Sequence, residues 1–433
     1  MANDKDFVVN GPVVVGKDTK VTVGTIASGA VDLSTGNYFT DSPSGDYTYT
    51  FANPGDVQSF QIEATGGSAA VAETFSTTLY TGTGAAKTIS NGLDLATDGG
   101  LVWIKSRNYT YGHALSDTEH TVGNYMSSNN TDQIQNGANA ISAFNSNGFS
   151  LGNDSTLNDS GSNIVSWSFK KKAKFFDIVK WTGDGTVRNI THNLGSVPGM
   201  IIVKRTNGTS NWYTQHRSTG PTKSLFLDTT SAATTRPEWG NTAPTDSVFT
   251  VDGTTVTATN YSNFEYVAYL FAHDTASDGL IKCDSYTGTA ASQSINLGWK
   301  PQWLLIKSTG AADWYILDTA RGWTSTSLTN KMLNPNSNTA ESTVGNVVYD
   351  IAHSNTGFDL AAAASQFNAS GQTYIYMAIR SPSAPAITWP SSIKWTQGST
   401  PKSPAEGETD VYTFTTDDGG TTYTGIQSID NAS

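Results

Sequence analysis

Acidic residues beside aromatic rings come nearest to a chemical site in this 433-residue chain. Asp313 and Asp318 flank Trp314-Tyr315, and Trp212-Tyr213 sets the same aromatic pair earlier in the sequence. Two carboxyl groups roughly 5–10 Å apart can cleave a glycosidic bond. Aromatic faces stack on sugar rings while neighbouring acids accept hydroxyl protons. Trp212, Tyr213, Asp313, Trp314, Tyr315 and Asp318 are therefore the candidate glycan contacts, and Asp318 is the carboxylate whose loss would report glycan cleavage. The plainer reading of a Trp-Tyr pair leading an apolar run is core packing. Two further acidic pairs, Asp274 with Asp278 and Asp417-Asp418, are weaker candidates, the second because it sits in a hairpin turn.

Other chemistry finds little support. His113, His120, His192, His216, His273 and His353 are scattered, which suits surface or satisfied loop histidines. Thr81-Gly82-Thr83-Gly84 and Thr182-Gly183-Asp184-Gly185 resemble pieces of a phosphate loop, but without a following helix and lysine they are turns. Cys283 is the single cysteine, so no intrachain disulfide or cysteine-based zinc site can form. The expectation is of no catalytic residue, no cofactor and no metal ligand. A formal net charge of −12 argues against nucleic acid as a partner. No apolar run is long enough to span a membrane, and the first residues lack the basic start and apolar core of a signal peptide. Lys170, Lys171, Lys172 and Lys174 form the one basic run, a solvated linker or a contact for an acidic neighbour.

The elements that carry these residues recur three times. An aromatic-Thr-Gly opens each copy: Tyr80-Thr81-Gly82, Trp181-Thr182-Gly183, Tyr286-Thr287-Gly288. An apolar run closed by lysine follows, at Val102 to Lys105, Ile201 to Lys204 and Leu304 to Lys307. Each copy ends in an aromatic strand, Ile164 to Phe169, Tyr266 to Phe271 and Tyr374 to Ile379. Trp212-Tyr213 and Trp314-Tyr315 match one another, whereas the first copy offers only Tyr109-Thr110-Tyr111. Short runs rich in Val, Ile, Tyr, Trp and Phe, separated by Gly, Asn, Asp and Ser, predict strands. Aromatics are 11% of the chain, enough to anchor cores although charged residues are only 14%. About a hundred residues of short strands is the size of a β-sandwich.

The predicted fold is all-β: tandem β-sandwich-like domains in three diverged repeats, with an extended N-terminal arm and a C-terminal β-hairpin module. The expected divisions are an arm over 1–30, a small β module over 31–71, repeats over 72–173, 174–279 and 280–383, and the C-terminal module over 384–433. Alternation on both sides of Asp417-Asp418-Gly419-Gly420 predicts the hairpin.

Three stretches resemble virion proteins of tailed bacteriophages, especially appendage proteins of marine phages that infect cyanobacteria. They are Ala2 to Gly11, Leu33 to Pro54, and a C-terminal stretch carried by Trp389-Pro390 through Trp395, Val411 to Phe414 and Gly420 to Gly425. The triplicated unit is similar to an uncharacterised domain of phage genomes carrying Gly-Leu-Val-Trp-Ile-Lys, here Gly100 to Lys105. The resemblance implies a structural virion protein, a tail fibre or adhesin assembled in the host cytoplasm. It also implies an N-terminal anchor, for which Phe7, Val8, Val9, Val13, Val14 and Val15 are the candidates. Its partners would be other virion proteins of tail or capsid, two further copies in a homotrimer, and a host surface glycan or protein. A capsid decoration or head fibre is the alternative reading, and a glycan depolymerase a third.

Overall fold

The computed structural model describes residues 23–27, 30–41, 47–55, 58–65, 71–137, 139–254, 259–276, 279–326, 330–344, 347–362, 364–382, 387–401 and 409–429. Strands cover 47% of the described residues and helix 3%, in many sheets with no barrel among them, so the fold is all-β. The chain divides into two units, residues 70–382 and residues 1–69 with 383–433.

The larger unit contains the three repeats, and each of its sheets draws its strands from one repeat alone. The main sheet keeps one strand order throughout. In the first repeat Phe75–Thr81 pairs with Asn163–Lys170, which pairs with Gly100–Ser106, which pairs with Ala114–Asp117. The second runs Phe176–Thr182, Glu265–Ala272, Pro198–Arg205, Tyr213–His216 and then two more short strands. The third runs Ile281–Thr287, Thr373–Arg380, Pro301–Ser308, Trp314–Asp318. A smaller sheet built around Gly148–Leu151, Val248–Asp252 or Gly357–Leu360 completes each repeat.

Period-two geometry explains why the lysine strands are apolar almost throughout. On Gly100–Ser106, Val102 and Ile104 join the core between the repeat's two sheets, with Ile89, Phe149 and Leu151. On Pro301–Ser308, Leu304 and Ile306 do the same with Phe358 and Leu360. The intervening residues Leu101, Trp103, Trp303 and Leu305 point to the other face, yet every residue of both strands is buried. A strand covered on both faces reads as a continuous hydrophobic run.

What covers the second face is the other repeats. Phe169 of the first repeat packs edge-on against Phe271 of the second at 5.5 Å and Trp303 of the third at 5.9 Å. The three repeats expected as tandem domains therefore share an apolar centre and form one unit.

The opening motif has a steric cause. A Cβ on Gly82, Gly183 or Gly288 would lie 2.1, 2.1 or 2.2 Å from the carbonyl oxygen of Asp159, Tyr261 or Ala369. With backbone that close, any side chain forces the turn to shift, which favours glycine at this position. Beside it a buried asparagine closes the same turn. The side-chain amide of Asn158 donates to Ala85 O and Gly152 O, that of Asn260 to Thr186 O, and that of Asn368 to Ala291 O.

The smaller unit corrects a second expectation. The modules placed at 31–71 and 384–433 are one body: Gln58–Thr65 pairs antiparallel with Thr409–Thr416, setting Ile62 opposite Tyr412. Their core is common, with Phe39, Phe60 and Ile62 against Trp389, Tyr412 and Phe414. The predicted hairpin is present, Thr409–Thr416 against Tyr423–Ile429. Part of the predicted arm is a strand of this unit, Val23–Ala27, paired in parallel with Tyr38–Asp41.

Candidate functional site

Strand register aligns the three copies residue by residue. Ala114 lies opposite Ile104, Tyr213 opposite Val203, and Tyr315 opposite Ile306, each of these partners immediately preceding the repeat's lysine. His113, Trp212 and Trp314 therefore occupy one position, and Asp117, His216 and Asp318 another. The first repeat's counterpart of the Trp-Tyr pair is His113-Ala114, not Tyr109-Thr110-Tyr111. The candidate site these positions build is the set of junctions between repeats.

Each junction is made the same way and leads to the next. The ring of His113 faces Asn334 O of the third repeat at 3.0 Å. The indole of Trp212 donates to Ser127 O of the first at 2.9 Å, and that of Trp314 to Phe226 O of the second at 2.8 Å. Backbone follows the same rule two residues past each lysine. Arg107 O accepts from Glu341 N, Thr206 O from Ile134 N and Thr309 O from Ala233 N. First joins second, second joins third, and third joins first, so the cycle closes within one chain.

Trp212 is fully buried and Trp314 nearly so, with Tyr213 at 9% and Tyr315 at 7% exposure. Each aromatic ring so placed removes roughly 150–250 Å² from water, worth about 4–6 kcal/mol of transfer free energy before entropy is counted. Turning one outward to meet a sugar would forfeit that, so their assignment as glycan contacts is corrected to core and junction.

The carboxylates are likewise used up. Asp318 is wholly buried, and its Oδ2 accepts from Arg321 Nε at 2.6 Å and from the Trp167 indole of the first repeat at 2.9 Å. Arg321, itself 2% exposed, reaches Glu341, which also holds Arg107 through two 2.9 Å bonds. Asp313 is half-buried and accepts from Asn336. Asp313 immediately precedes the strand Trp314–Asp318 and Asp318 ends it, which sets them roughly 16 Å apart at the strand rise. That is too far for paired acid catalysis. Phe7, Val8, Val9, Val13, Val14 and Val15 lie outside the described residues, as does Asp278.

The equivalent of the Trp167–Asp318 contact differs at each junction. Tyr269 of the second repeat donates its hydroxyl to Asp117 Oδ2 of the first at 2.7 Å, and burial pushes that phenol up. At the third junction the aligned donor is Met377, which has no hydrogen to give. His216 of the second repeat turns instead to the neighbouring carbonyl of Tyr376, 3.1 Å from Nε2. Nδ1 of His216 accepts from Ser218 N, so Nε2 carries the proton and donates. Burial pulls this imidazole down to about 4. His113 is also pulled down by burial. Its Nδ1 accepts from the Trp103 indole, leaving Nε2–H for Asn334 O.

His216, buried in the strand Tyr213–His216, contradicts the reading of all six as surface or satisfied loop histidines, whereas His113, outside the strands with both ring nitrogens bonded, is a buried but satisfied loop residue. Sequence reasoning had no repeat signal for them, because the position of His113 holds His, Trp and Trp in the three copies and that of His216 holds Asp, His and Asp. The buried asparagines 158, 260 and 368 do recur, and their common place before the final aromatic strand is the signal that could have found them.

The lysines closing each run are interior. Lys105, Lys204 and Lys307 are at most 1% exposed, and burial lowers each to about 8. Their ammonium groups donate to backbone carbonyls: Lys105 to Ser106 and Tyr109, Lys204 to Thr131 and Ser210, Lys307 to Gly310. The basic run at 170–174 does find acidic neighbours. Lys170 pairs with Asp98 at 3.0 Å and Lys171 with Glu119 at 2.8 Å. Both acids line an open cleft in the first repeat with Val122 and Phe144.

Comparison with known families fits this unit to the residue. A family model described as a domain of unknown function, DUF7483, matches residues 70–382. The chain belongs to the DUF7483 family. The DUF7483 domain is thus the whole three-repeat unit rather than any single copy, since its limits coincide with those of the larger unit. No curated protein matches the chain. Among the described residues no group of three or more His, Cys, Asp or Glu could hold a metal ion, and no helix is long and apolar enough to cross a membrane.

Proposed function

We propose that this DUF7483 protein is a structural, binding component of a tailed-phage particle, a tail fibre or adhesin. It would be anchored through its N-terminal region and would present the three-repeat domain to the host surface. One observation carries the reading. The aromatic and acidic residues whose spacing suggested chemistry are spent on joining repeats, which leaves loops on a rigid scaffold as the surface available to a partner. Two of the segments that resemble phage appendage proteins, Leu33 to Pro54 and the C-terminal one, add support, because their described residues fold together as one unit.

The expectation of a homotrimer is what the phage resemblance implies, and small modules that each bury little area would give it a physical reason. Closure of three copies within one chain supplies that burial intramolecularly, so the trimer becomes a separate proposal, tested by light scattering against 46.0 kDa. Particle location is tested by purifying virions of the encoding phage and labelling them with antibody against the domain. Gold at the tail is the expected result. Gold on the head would favour a capsid decoration, and absence of the polypeptide from the particles would overturn the proposal.

A further inference from the structure

The loop that follows each buried lysine is tied down by it; aromatic rings reach solvent from that loop in the first repeat and from the turn packed against it in the second. In the first repeat Lys105 fixes the carbonyls of Ser106 and Tyr109, and Asn108 Oδ1 accepts from Asn163 N. In the second Lys204 fixes Ser210 O, and Asn207 Oδ1 accepts from Glu265 N. Each loop is also bonded to a neighbouring repeat through Arg107 O or Thr206 O. A buried ammonium is costly, and here its return is a loop with little freedom left to lose.

On this footing stand two aromatic pairs. Tyr109 is 43% exposed, with its ring 5.8 Å from that of Tyr111, whose hydroxyl is held by Asp159 at 3.0 Å. Tyr261, in the turn equivalent to Asp159, is also 43% exposed and stacks on Phe264 at 5.6 Å. Phe264 lies on the bare backbone of Gly208, where a Cβ would come within 2.7 Å of the ring, and the Arg205 guanidinium sits 4.1 Å from its centre. The third repeat replaces these rings with Gln372 against Gly310.

We propose that these two pairs are saccharide-binding platforms for an uncharged polysaccharide. The exposed rings of Tyr109 and Tyr261, backed by Tyr111 and Phe264, are suited to stack on the C–H faces of sugars. Asp159 and the exposed Glu265 stand beside them to accept hydroxyl protons. Fixing the loop before binding removes an ordering cost. The net charge of −12 repels polyanions and selects the uncharged class. The proposal rests on the binding half of the proposed function, and it replaces the buried Trp-Tyr pairs with rings that a sugar can reach.

The test is affinity electrophoresis of the full chain in native gels. The gels contain dextran, a galactomannan or a mixed-linkage β-glucan, with alginate as the polyanion. Retardation is expected in at least one neutral gel. The Y109A/Y111A/Y261A/F264A variant should bind about tenfold more weakly or not at all, whereas Q372A should leave retardation unchanged. If the fourfold variant does not fold, Y109S/Y261S, which touches only the most exposed rings, should still weaken binding. No retardation in any neutral gel, retention of binding by a folded variant, or retardation by alginate alone would overturn the proposal. The assay uses free protein, so its outcome is independent of whether the chain is found on particles.

Discussion

Where the third repeat meets the first, Trp167 donates to the Asp318 carboxylate, which Arg321 neutralises in a fully buried pair. Where the second meets the third, the same place holds a neutral histidine facing a main-chain carbonyl. Backbone register is common to the two junctions, and side-chain chemistry is not. What the position requires is one donor and one acceptor, satisfied and dry. Any pair meeting that count can diverge freely once three copies are fused.

The two junctions should break differently. The largest effect is expected for Asp318→Asn, which removes the closer carboxylate from buried Arg321 and leaves it only Glu341, already shared with Arg107. A loss of about 3–5 kcal/mol in denaturant unfolding would match removal of one member of a buried pair. A loss below about 1 kcal/mol would mean that Glu341 alone can hold Arg321.

The histidine junction should respond to acid instead. His216 sits at about 4 in the folded state against an ordinary value near 6.5. The unfolded chain therefore takes up this proton first, and the contribution is full above pH 6.5 and lost as pH falls toward 4. Comparing thermal unfolding of wild type and His216→Leu across that window should show a difference of roughly 2–3 kcal/mol that shrinks on acidification. A difference independent of pH would remove the imidazole from the account.

The smallest predicted effect tests the likeness of the copies rather than their divergence. Gly82→Ala, Gly183→Ala and Gly288→Ala meet the same carbonyl clash. Each should cost about 1–3 kcal/mol in chemical denaturation, with similar values at all three sites. One tolerant site would show that its turn has drifted from the common geometry.

Much of this architecture was legible in the sequence because it rests on local rules. The aromatic-Thr-Gly openings, the lysine-terminated runs and the closing aromatic strands each answer to a repeated steric or packing need. Closure was not legible. Its contacts pair Trp167 with Asp318, Tyr269 with Asp117 and His216 with a carbonyl, three chemistries with no shared pattern. The union of the terminal segments was hidden for another reason. Ile62 and Tyr412 are neighbours across a sheet, and no periodicity reports pairing over that separation. The Trp-Tyr pairs drew attention as a surface site because adjacent aromatics look the same in sequence whether a neighbouring repeat covers them or not.

Calorimetry of the full chain tests most directly whether the repeats act as one body. Tyr269→Phe, Asp318→Asn and His216→Leu each weaken a different junction. If the cycle is cooperative, all three lower the temperature of one and the same transition, that of the unit spanning 70–382. Three separate transitions, each moved by only one of the substitutions, would contradict it.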